Sequence, residues 1–86
     1  MTEKEIYLQA KESGSTFVMS WCYDADNSII KTIVMLDDID NLVCSPTEFQ
    51  EVSEKEIPQE ILVELKLGHC NRFFISVDGS GIAYHF

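Results

Sequence analysis

From Phe17 to Tyr23 every second residue is large. Phe17, Met19, Trp21 and Tyr23 fall on one side of an extended chain, and Thr16, Val18, Ser20 and Cys22 fall on the other. A period of two is the signature of a strand, because consecutive side chains leave it on opposite faces. The sequence therefore predicts a sheet with its bulky face toward a core and a flatter, less covered face behind it. The rest of the fold has to be built around that strand, because 86 residues make one domain (1–86) near the lower limit of unaided folding.

The segments on either side supply candidate partners. Glu5 to Lys11 alternates Ile6, Leu8 and Ala10 with Tyr7 and Gln9, which predicts a first strand. Lys4, Leu8 and Lys11 also fit a helical face, so a helix is the competing reading. Ser13-Gly14-Ser15 and Asp24 to Ser28 are turn formers. Ile29 to Leu36 is apolar on both faces except at Lys31 and Thr32, the pattern of a central strand. These three segments read as an antiparallel meander.

Further on, Leu42-Val43-Cys44 is a candidate short strand. Ser45-Pro46-Thr47-Glu48 carries a helix-start signature that would bury Phe49 and Val52 on a short helical turn, with an irregular loop as the alternative. Ser53-Glu54-Lys55-Glu56 repeats the capping logic and leads to the main predicted helix, Pro58 to Leu67, ended by Gly68. Ile57, Ile61 and Leu65 share one stripe of it; Glu56, Glu60 and Glu64 share another. Arg72 to Val77 and Ile82 to Phe86 form a hairpin through Asp78-Gly79-Ser80-Gly81. The expected fold is α+β: a single small domain with an antiparallel sheet of five or six strands, an N-terminal meander and a C-terminal hairpin, packed against one main helix at about 58–67.

Charge narrows the function classes. Fifteen acidic against six basic side chains give a net charge of −9. Such a chain repels nucleic acid and anionic lipid and is drawn toward basic proteins. The basic residues are dispersed, with no aromatic interleaving, so direct nucleic-acid binding is not expected. No apolar run reaches membrane-spanning length, and the polar N-terminus carries no signal-peptide pattern, so a cytoplasmic location is expected. Cys22, Cys44 and Cys70 are odd in number and widely spaced, which predicts buried, reduced thiols.

Chemistry-bearing patterns are few. Asp24, Asp26 and Ser28 imitate the start of a calcium loop, but Ile29 replaces the required glycine and Met35 the closing carboxylate. His69-Cys70 lacks a second short-spaced ligand pair, so no structural zinc is expected. His85 is positioned to reach Cys70 from a facing strand, yet no orienting group or oxyanion hole accompanies them. No cofactor and no enzymatic activity are expected.

The acids are the remaining signal. Asp37, Asp38 and Asp40 concentrate charge in one loop. Glu56, Glu60 and Glu64 line a helix face, where a like-charge pair four apart costs a few tenths of a kcal/mol, on the order of 0.3. These six residues are the expected partner-binding set, with Tyr7, Tyr23, Phe49 and Tyr84 as candidate aromatic anchors. The leading expectation is a small acidic inhibitory protein that blocks a basic partner such as a nuclease toxin or a nucleic-acid-handling defence protein, in the manner of toxin-immunity or phage anti-defence proteins. The second is a non-catalytic module (a small subunit, adaptor or secretion chaperone) that forms a homodimer or adds a strand at a sheet edge.

Overall fold

The fold is known from a computed structural model that describes all 86 residues. Its first element corrects the predicted strand at Glu5–Lys11. Thr2 Oγ1 accepts a hydrogen bond from the Glu5 N–H, and Glu5 Oε1 accepts one from the Thr2 N–H at 2.9 Å. That reciprocal cap starts helix α1, Glu3–Glu12, which buries Ile6, Tyr7 and Ala10. The competing helical reading of this segment is the observed one.

The five strands that follow are β1 (Phe17–Tyr23), β2 (Ile29–Met35), β3 (Phe49–Val52), β4 (Arg72–Ser76) and β5 (Gly81–Tyr84). They form one antiparallel sheet in the order β2-β1-β5-β4-β3. The α+β class, the five-strand count and the C-terminal hairpin match expectation. The meander is reduced to the β1–β2 hairpin, and β2, expected to be central, lies at the sheet's edge. No strand forms over Leu42–Cys44. The expected helical turn after Ser45 is instead strand β3: Ser45 Oγ pairs with Thr47 Oγ1, and Glu48 reaches the Met1 ammonium rather than a cap. Phe49 is buried as expected, but from a strand.

Pairing register assigns the two faces. Val18, Ile82, Tyr84, Phe74 and Phe49 point to the α1 side, where they meet Ile6, Tyr7, Ala10, Leu36 and Ile39. Met19, Trp21, Ala83 and Phe73 point the other way and pack against Ile57, Ile61, Leu65, Leu67 and Cys70. The sheet thus carries a core on each face. The second core is roofed by a 3-10 turn at Glu54–Glu56, helix α2 (Gln59–Glu64) and a 3-10 turn at Leu67–His69. The helix predicted at about 58–67 is therefore shorter, and Lys66, with φ 56°, supplies the left-handed residue that ends it in place of Gly68. Gly81 permits a close approach of β5 to the Trp21 side chain. A Cβ there would lie 2.0 Å from Trp21 Cζ2, so the indole occupies the space that any side chain would need.

Candidate protein-binding edge

The six acidic residues expected to bind a partner do not come together. Ile39, within the Asp37–Asp40 loop, anchors that loop in the α1-side core, whereas Ile57, Ile61 and Leu65 anchor the segment bearing Glu56, Glu60 and Glu64 in the core on the opposite face. The sheet separates the two groups. Several carboxylates also serve the chain itself. Glu56 accepts from the Ser53 N–H (2.9 Å), Asp38 from Asn41 Nδ2 (2.6 Å), Glu3 from the Ser45 N–H (3.0 Å) and Glu51 from Arg72 Nη2 (2.8 Å). Asp24 accepts from the Asp26 and Ser28 N–H groups and so closes the β1–β2 turn. Asp37, Asp40, Glu60 and Glu64 are exposed. The aromatic anchors are mostly internal: Tyr7, Phe49 and Tyr84 are buried, and Tyr23 alone of the four is exposed.

The histidine–cysteine residues do converge. His69, Cys70 and His85 line one cavity of about 210 Å³ beside Phe17, Met19 and Ala83. Burial pushes the Cys70 thiol up to about 11, so it stays protonated and poorly nucleophilic at neutral pH. Of the three cysteines, all unpaired, only Cys70 is buried; Cys22 is exposed and Cys44 half-buried, which corrects the expectation of buried thiols. The Arg72 guanidinium is likewise committed to structure. It pairs with Glu51 and lies 5.7–5.9 Å from the ring centroids of Phe74, Tyr84 and Phe86.

What the molecule leaves open is the edge formed by β2. The N–H of Leu36 bonds the carbonyl of Thr16 (2.9 Å), and the N–H of Asp24 bonds that of Ser28 (3.0 Å). In an antiparallel ladder, bonded and non-bonded pairs alternate. Val18–Val34, Ser20–Thr32 and Cys22–Ile30 are therefore the bonded pairs between those ends. The N–H and C=O groups of Ile29, Lys31, Ile33 and Met35 consequently point away from β1 and off the sheet. Their side chains share the α2-side face with Phe17, Met19, Trp21 and Tyr23. Ile33 and Met35 are each 54% exposed, with Phe17 at 37% beside them; Ile30, on the other face, is 45% exposed.

The opposite edge is defended. β3 is only four residues long and carries Glu51, and the Phe49 N–H is already bonded to the Met1 carbonyl at 2.7 Å. β2 keeps one of the usual protections, the exposed Lys31, and lacks two others: it has no proline and no bulge. Its mostly apolar composition, broken only by Lys31 and Thr32, was visible in the sequence. What the sequence did not reveal was its place at the edge, since an apolar run is also what a central strand shows.

Comparison with models of known families, with curated proteins and with solved structures finds no match to this chain. The functional reading therefore rests on the chain's own geometry.

Proposed function

We propose that this chain is a non-catalytic interaction module that binds another polypeptide by adding a strand to β2. The observation that carries this reading is the free ladder at Ile29, Lys31, Ile33 and Met35, set in an exposed apolar strip. An inhibitor working through one rigid acidic patch is less well supported, because the two acidic groups anchor on opposite faces of the sheet.

Magnitudes define what such a surface supplies. A net contribution of about 0.5–1.5 kcal/mol per main-chain hydrogen bond gives a full ladder several kcal/mol, on the order of 4–12. That is comparable with the roughly 4–15 kcal/mol lost on association. The backbone alone brings a strand to the threshold of binding, and side-chain contacts along the strip and at its ends decide which strand stays.

The test uses Ile33→Pro. The Ile33 N–H points off the sheet, so proline there removes no bond to β1 and is compatible with an edge position. The variant is expected to keep the wild-type unfolding transition and to lose a protein that the wild-type chain retains from extracts of its source cells. In the wild-type complex, the amides of Ile29, Lys31, Ile33 and Met35 are expected to exchange slowly with solvent. Equal retention by both chains, or protection confined to α2, overturns the reading.

A further inference from the structure

Acids stand at both ends of the open strand. Asp24 and Asp26 lie in the turn that enters β2, and Asp37, Asp38 and Asp40 in the loop that leaves it. Between them, Ile29–Met35 carries no acid and a single Lys31. At about 3.3 Å per residue the strand is roughly 23 Å long. That exceeds the screening length of about 8 Å at physiological salt, so each end is felt separately by whatever lies along the edge. Lys11, which lines the same hollow as Met35 and Asp37, offsets only the exit end, and only in part.

Resting on the strand-addition reading, we infer that the occupant of β2 is an extended segment of a different protein, apolar in its middle and bearing Lys or Arg at both ends. A second copy of this chain is the obvious rival, and charge disfavours it. Antiparallel pairing of two β2 strands about Thr32 would set Lys31 opposite Ile33 and bring the Asp37–Asp40 loop of each copy beside the Asp24–Asp26 turn of the other. Parallel pairing would set each acidic end against its own kind. Registers that slip far enough to part these ends also give up much of the ladder. A partner strand with basic ends keeps the whole ladder and converts both repulsions into attractions. The net charge of −9 adds long-range steering toward the same partner.

The experiment uses three synthetic peptides that share an alternating Val-Thr middle as long as β2, ended on both sides by Lys-Arg, Ser-Ser or Glu-Glu. Binding is followed by amide exchange at β2 and by titration at low and high salt. The Lys-Arg peptide is expected to protect Ile29, Lys31, Ile33 and Met35. It should bind on the order of tenfold more tightly than the Ser-Ser peptide at low salt, with the gap closing at high salt. Asp26→Asn at one end, and Asp37→Asn at the other, should each remove part of the gap without changing the unfolding transition. Two results overturn the basic-ended occupant and leave strand addition standing: equal binding of all three peptides at β2, or a β2-dependent homodimer in sedimentation that excludes the peptides. Absence of any protection at β2, with the chain monomeric, overturns the strand-addition reading as well.

Discussion

Single residues fix several of this fold's tightest points, and they differ in how openly the sequence announces them. Gly81 is the clearest structural case. The Trp21 indole occupies its Cβ position, so Gly81→Ala forces the ring or the β1–β5 pairing to shift. A loss of about 1–3 kcal/mol is expected, measurable by denaturant unfolding followed through Trp21 fluorescence. Asp78 holds the β4–β5 turn: it accepts from the Ser76 hydroxyl and from the Ser80 N–H (2.9 Å), and these bonds pull its carboxyl below the usual range. A carboxyl lowered by folding stabilises the protein above its unfolded pKa of about 4, and that contribution fades as the pH falls through the lowered folded value. Asp78→Asn keeps the acceptor and removes the charge. It is expected to melt earlier at pH 7 and to converge with the wild type in strong acid, as read from melting curves across a pH series. The Asp78-Gly79 turn was legible because turn chemistry is local. The Trp21–Gly81 contact was not, since it depends on which strands become neighbours.

At the level of elements, the sequence misleads where a local signal competes with tertiary pairing. α1 was open to two readings because Ile6, Leu8 and Ala10 recur with a period of two while Lys4, Leu8 and Lys11 fit a helical face. The discriminating signal was the Thr2-x-x-Glu5 box, which lies just ahead of the apolar pattern. The same kind of signal at Ser45–Glu48 was false, because β4 offers Phe49–Val52 a ladder that a single helical turn could not match. The Ser53–Glu56 box was real, although it opens a 3-10 turn before α2 rather than α2 itself. The end of α2 carries a further prediction. Lys66 adopts a left-handed backbone that is costly for a side chain with a Cβ. Lys66→Gly is therefore expected to stabilise the protein by about 0.5–1 kcal/mol in chemical denaturation, and Gly68→Ala, at an ordinary φ with open space around the new methyl, to leave it nearly unchanged.

Taken whole, the molecule is a sheet with a core on each face and two unequal margins. The existence of the sheet was readable in the alternation of β1, and its class followed from the helix between β3 and β4. Strand order was not readable, because periodicity reports which face a residue takes and says nothing about which neighbour lies beside it. The candidate surface was hidden for the same reason: Ile29–Met35 is mostly apolar whether it lies at the centre or the edge, and only at the edge is its ladder left open. The open margin has a consequence for handling as well as for recognition. A net charge of −9 at neutral pH opposes self-association, and near the pI of about 4.4 that opposition vanishes. Turbidity and thioflavin fluorescence are expected to rise as solutions are brought toward that pH, and Ile33→Pro is expected to suppress both. If β2 takes a partner strand as proposed, a cell that makes this protein in excess of that partner would face the same hazard, and balanced dosage of the two, through joint expression or rapid turnover of the orphan, would relieve it.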